Sequence, residues 1–334
     1  MKHRTFLLAL ASTLALSACG GGSDGGSSAG TLQTSTLSPI TAASSNRVAS
    51  NAYSASASIS GASSSLTDVL TGVSIGGAKV STVSPVLGLV KHVLGQGAPG
   101  LLTGVSYSES CSGGGTVSVS ANLSNPQTIS NGDSMTMTAT NCVEVGSTLN
   151  GAMSITFSNI SGDLVNSSTW AATFDARFDG FSVSSGTETD TLNGDMKIAF
   201  TQQSAISNSL TLSGKFLQMK EQQAGATVAT RTLSDYSLTG STFGSTVTSA
   251  ASFAISGNTS ALGQFAYVVK TTQPFVSYSS AMPATGSLIV SGAGSSVTLT
   301  ALGANGVRLD YSAKGDGVIT QTTILGWGEL LASV

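Results

Sequence analysis

Ser134-Met135-Thr136-Met137-Thr138, Met153-Ser154-Ile155-Thr156-Phe157 and Val297-Thr298-Leu299-Thr300-Ala301 place an apolar residue at every second position, with Ser or Thr between in nearly every case. A repeat of two puts alternate side chains on opposite faces of an extended chain, so these runs read as strands with one covered face. Working outward, similar alternation covers 170–183, 192–202, 208–220, 228–240, 246–256, 264–271, 286–291, 306–312 and 317–324. That makes about a dozen strands. Asn131-Gly132, Asn150-Gly151, Asn193-Gly194 and Asp316-Gly317 stand among the separators as candidate tight turns, because Asn, Asp and Gly tolerate positive φ.

No helical pattern of ten residues follows residue 110, which disfavours parallel crossovers and points to antiparallel pairing. Thr148-Leu149-Asn150-Gly151-Ala152-Met153-Ser154-Ile155-Thr156-Phe157 is echoed by Thr191-Leu192-Asn193-Gly194-Asp195-Met196-Lys197-Ile198-Ala199-Phe200. The echo reads as a duplicated sheet unit, and two copies do not establish a solenoid or propeller. The expectation is a mainly β fold: one large twisted antiparallel sheet or open barrel of about a dozen strands with one short N-terminal amphipathic helix. A β-sandwich is the alternative.

That helix is placed after Ser84-Pro85, an N-cap followed by proline at the first helical position. Val86, Leu87, Leu89, Val90, Val93 and Leu94 then share an arc of about 160°, opposite Gly88, Lys91 and His92. Packing on the sheet is the reading; membrane contact is the alternative.

At the N-terminus, Lys2, His3 and Arg4 precede a largely apolar run from Phe6 to Leu16, too short to span a bilayer. Leu16-Ser17-Ala18-Cys19 resembles the lipobox of bacterial lipoprotein signal peptides. The resemblance implies a leader over 1–18, cleavage before Cys19, a diacylglyceryl group on its sulfur, and palmitate-type acylation of the new N-terminus. Two chains give stable anchoring. Gly20, in place of the Asp that marks inner-membrane retention in some Gram-negative bacteria, implies the outer membrane, facing either the periplasm or the surface. As a whole the chain resembles the uncharacterised outer-membrane lipoproteins with Gly/Ser tethers, a resemblance that brings no activity with it.

Residues 19–51 are Gly/Ser/Thr/Ala-rich and read as a flexible tether with an end-to-end distance of roughly 30 Å. Residues 52–110 read as a helical or irregular lead-in and 111–334 as the β domain. With Lys2 and Arg4 gone, 11 basic side chains face 16 acidic ones, a net charge of −5, which offers nucleic acid nothing. Cys111 and Cys142 remain once Cys19 carries lipid, and an isolated pair in an oxidising compartment is expected to bridge, tying the start of the first strand to the edge of the second.

Catalytic and metal signals are weak. Only His92 survives leader removal, and no Gly-x-Ser-x-Gly lies on a strand-to-helix turn to nominate a nucleophile. Asp175, Arg177 and Asp179 alternate along one strand and so share a face, with the two acids about 13 to 14 Å apart, too far for a glycosidase pair; they read as a solvated charge ladder. Asp310 and Asp316 faintly resemble a calcium loop, but Ser312 and Lys314 occupy ligand positions, so Lys314-Gly315-Asp316-Gly317 reads as a turn. Trp170 and Trp327 sit among apolar neighbours and read as core or edge-covering. The functional expectation is a non-enzymatic envelope lipoprotein, without cofactor or metal, held on the membrane by lipid. A carrier of a lipid or other apolar ligand between sheet and helix is the alternative, with glycan binding behind it.

Overall fold

The computed structural model describes residues 36–57, 105–125, 129–144, 146–162, 169–278 and 282–333. Fourteen strands form one antiparallel sheet in strict sequence order, with β1 (Val105–Ser110) and β14 (Gln321–Leu325) at its edges. Between them run β2 (Thr116–Asn122), β3 (Ser134–Glu144), β4 (Ser147–Ser161), β5 (Trp170–Ser185), β6 (Glu188–Ser204), β7 (Ser207–Gln223) and β8 (Ala226–Phe243). β9 (Thr246–Thr259), β10 (Gly263–Tyr278), β11 (Thr285–Gly292), β12 (Ser295–Ala301) and β13 (Val307–Ser312) complete it. The single sheet expected from the alternation is therefore present, and the sandwich is not.

The alternation works as read. Val117 and Val119, Met135 and Met137, Ile155 and Phe157, Leu210 and Leu212 are all buried on one face, in a single core cluster. The intervening Thr116, Ser118, Ser120, Thr136 and Thr138 are exposed on the other. Hydroxyl-rich outer positions satisfy water while β-branched and aromatic inner positions fit the pleat.

Two of the four expected turns are not turns. Asn131-Gly132 lies in the β2–β3 connection and Asp316-Gly317 in the β13–β14 connection, but Asn150-Gly151 and Asn193-Gly194 sit inside β4 and β6. They are the sites where the register shifts. β3 carries an extra residue between Ala139 and Cys142, and β5 between Phe178 and Phe181. Asn141 and Gly180, within those insertions, adopt positive φ. The Asn150 carboxamide accepts from Asn141 N at 2.7 Å, and Asn193 accepts from Gly180 N at 2.8 Å. The sequence echo is thus a repeated bulge device, in which each Leu-Asn-Gly holds the inserted residue of the preceding strand. Further irregularities in β6, β8 and β10 extend the line across the sheet. Bulges bend strands and increase twist, so they curl a wide sheet around its apolar face.

A further correction concerns the tether. Residues 36–51 belong to the folded body: Ser38 N donates to Ala266 O at 2.9 Å, Ala293 N donates to Ser38 O at 3.0 Å, and Ile40 N donates to Ser295 Oγ at 2.7 Å. The chain then enters α1 (Ser45–Ala57), preceded by reciprocal bonds between Thr41 and Ser44 that satisfy both backbone N–H groups. α1 crosses the apolar face, contacting β9, β11, β12, β13 and the C-terminal helix α2 (Trp327–Leu331). Its small residues Ala49, Ala52 and Ala55 are buried together with Ser45, Ser50 and Asn51, so it is enclosed nearly all round. The lead-in boundary moves too, since β1 starts at Val105, before Cys111. The helix expected over 84–94 lies outside the described residues.

Candidate functional site

The odd-to-even turns, from β1–β2 to β13–β14, lie along one rim of the sheet and the even-to-odd connections along the other. Residues 36–40 dock at the first, hereafter the proximal rim, through Ala266, Ala293 and Ser295. α1 runs from there, where Arg47 Nη1 donates to Ala261 O at 3.4 Å, towards the distal rim, where the Tyr53 ring meets Phe275 and Trp327 at 5.4 and 4.9 Å.

Among the sequence candidates, Cys19 and His92 lie outside the described residues. Cys111 and Cys142 form a disulfide with Cα atoms 5.4 Å apart. It joins the β1–β2 turn to β3, not the start of the first strand to the edge of the second as expected, because β1 precedes Cys111. Glu144 lies beside the bridge, and its carboxylate accepts from Ser112 N and Ser112 Oγ, both at 2.8 Å. With both sulfurs oxidised, this cluster has no thiolate to offer a metal.

Asp175, Arg177 and Asp179 are all exposed on the outer face of β5, and Asp175 meets Lys197 at 3.5 Å. Register places Arg177 opposite Asp195, extending the ladder across β6. Asp310 accepts from Arg308 Nε and Thr322 Oγ1 at 2.8 Å each, and Asp316 accepts from Val318 N at 3.0 Å and Ser312 Oγ at 3.2 Å. Both carboxylates are occupied as acceptors in strand pairing and turn closure. Trp170 stacks on Phe200 at 4.6 Å, and Trp327 Nε1 donates to Gly303 O at 3.0 Å; both rings are buried and neither offers a platform for a sugar.

One polar group was not anticipated. Arg231 lies on the inner face of β8, between inward Ala229 and Leu233, and is buried. It pairs with Glu221 of β7, and its Nε donates to Asn51 Oδ1 of α1 at 3.4 Å. Asp190 faces Glu221 across β6–β7 and is also buried. A charge at an inward position of the alternation was the available signal, because a buried guanidinium needs partners. Here it fastens α1 to the sheet.

Tyr53 and Tyr236 are buried deeply enough that desolvation drives their hydroxyls well above the ordinary tyrosine range, with the Asp195 charge adding to the effect at Tyr236. Tyr236 donates to Asp195 O at 2.7 Å, while the Asp195 carboxylate accepts from Lys215 N and Phe216 N at 2.9 and 3.0 Å.

An open depression of about 400 Å3 lies at the proximal rim, lined by Thr36, Ser38, Thr230, Asn258 and Gln264 among others. It is shallow, uncharged and separate from the contact between α1 and the apolar face. No protein-family model, curated protein or solved structure matches this chain.

Proposed function

We propose that the protein is a lipid-anchored outer-membrane lipoprotein with a non-enzymatic structural or binding role in the cell envelope. The observation that carries the proposal is Leu16-Ser17-Ala18-Cys19 after a basic start and a short apolar run. The character of the strands supports anchoring by lipid over embedding by strands. A transmembrane barrel turns an apolar band outward, whereas the outer positions here are mainly Ser, Thr, Asn and charged residues, with Val268 and Ile324 among the isolated apolar exceptions. Among the described strands most apolar residues lie inward, so a binding role falls to the rims and the outer surface.

The test is metabolic labelling with palmitate of the full chain and of Cys19→Ala in a Gram-negative host. The wild type should incorporate label and fractionate with the outer membrane. The variant should lose the label and keep its leader. Label retained in Cys19→Ala, or wild type released as soluble protein, would overturn the proposal.

A further inference from the structure

The two rims differ in chemistry. At the proximal rim, Arg47, Glu188, Lys220, Lys314 and Asp316 stand among the turns, around the exposed Val228, Val318 and Ile319. At the distal rim the β6–β7, β8–β9, β10–β11 and β12–β13 connections (205–206, 244–245, 279–284 and 302–306) contain no Asp, Glu, Lys or Arg, while the charges of that rim stand outside them: buried Asp133 in the β2–β3 connection, Arg308 in β13 and Glu329 in α2. The tips there are apolar and exposed: Ile206 at 57%, Phe243 at 69%, Tyr278 at 56% and Met282 at 46%.

These side chains belong to one continuous edge. Ser207 pairs with Phe243, Phe243 with Thr246, and Thr246 with Tyr278, so Phe243 and Tyr278 lie in one cross-strand row with Ser207 and Thr246 and turn to the same face. Gly244 N donates to Ile206 O at 2.8 Å, tying the β6–β7 and β8–β9 tips together. With strands about 4.8 Å apart, Phe243 and Tyr278 stand about 10 Å from each other.

From this geometry we propose that the distal rim is a membrane-contacting edge, seated in the head-group layer of the bilayer that carries the protein's own lipid. The proposal rests on the lipid-anchor reading above. Aromatic and aliphatic tips gain by leaving water at that depth, and the four connections that carry them have no ion to desolvate on entry. Four side chains alone bury too little for stable association; a lipid on the same chain makes the contact intramolecular, so a weak contact is populated.

The reach is sufficient. Ser38 is held at Ala266, and the 12 residues of β10 from there to Tyr278 extend about 40 Å. The 17 residues from Cys19 to Thr36 allow at most about 60 Å of chain. The absence of cationic residues from these four connections further requires that contact be indifferent to anionic lipid, unlike a polybasic surface.

The experiment uses full-length lipidated protein reconstituted in phosphatidylcholine vesicles, with a nitroxide attached at Phe243→Cys, Tyr278→Cys or, as control, Ala224→Cys in the proximal β7–β8 turn. Spin relaxation by oxygen and by a water-soluble nickel complex reports depth. The expected result is an oxygen-to-nickel ratio several-fold higher at 243 and 278 than at 224, unchanged when phosphatidylglycerol is added. A ratio at 243 and 278 equal to that at 224 would overturn the proposal. So would depth that appears only after protein-free vesicles are added, which places the contact on a facing membrane, or spin–spin broadening at 243 that vanishes on diluting the protein, which places it between copies. Failure of the anchor is separately visible, since the protein would then not float with the vesicles.

Discussion

At the residue scale, the glycines inside β4 and β6 decide more than those in the turns. Gly194 holds a positive φ of 122°, and a Cβ there would run into the carbonyl of Phe216 on β7. Gly225 also holds a positive φ, in the β7–β8 turn, but a Cβ there meets nothing within 4 Å. Gly194→Ala should therefore destabilise the fold by about 3 kcal/mol, through strain plus displaced backbone, and Gly225→Ala by about 1 kcal/mol, through strain alone. Urea unfolding of the two variants checks this, and equal costs would show that the bulge is not a close contact. The buried tyrosines give a second residue-scale prediction. Burial raises Tyr53, Tyr236 and Tyr267 above their unfolded value near 10, so the folded state retains protons that the unfolded chain releases. Stability from this source is complete below pH 10 and falls as pH rises beyond it. Following tyrosinate absorbance and far-ultraviolet circular dichroism together should show these tyrosines ionising only as the sheet signal disappears. Complete ionisation with the sheet intact would contradict their burial.

Among the elements, α1 is the one whose packing the amino-acid pattern concealed. Its residues are mostly Ser, Asn and Ala, the composition of a linker, and it is enclosed because larger side chains from the sheet and from α2 close around it. Small residues let its backbone lie close to β11, β12 and β13, and Tyr53 supplies its one large contact. Tyr53→Ala should cost about 3 kcal/mol and be felt locally. Hydrogen exchange should accelerate over 45–57 while β4 to β8 keep their protection. Uniform acceleration would mean that α1 and the sheet open as one unit. The strands were legible from alternation because a period of two survives any choice of apolar residue. Their lengths were not. Asn150-Gly151 and Asn193-Gly194, expected as turns, lie inside β4 and β6, and the run expected over 264–271 continues to Tyr278 past Pro274, since a sheet absorbs an extra residue or a missing N–H by bending.

For the whole molecule, sequential pairing leaves the disulfide as the covalent link between the first hairpin and the third strand. Closing a loop over a separation of 31 residues should contribute about 3 to 4 kcal/mol in the chain-entropy model. Cys111→Ser combined with Cys142→Ser should lower the urea midpoint accordingly with little change in slope. A fall in slope as well would point to a native state that has lost β1 and β2. Read alone, the amino-acid order determined a mainly antiparallel β architecture, the position of most strands, the partnership of the two internal cysteines and the inwardness of both tryptophans. These follow from local periodicity, the pairing of the only two internal cysteines and composition, which act over a few residues or need no geometry. Only the tertiary structure decided that Asn-Gly in β4 and β6 holds bulges in β3 and β5, that a Ser/Ala-rich stretch is a buried helix, that Arg231 is an interior fastener, and that Ile206, Phe243, Tyr278 and Met282 stand on uncharged connections of one rim. Each depends on which strand lies beside which, and that is set by cross-strand register and long-range packing, which no short window of sequence contains.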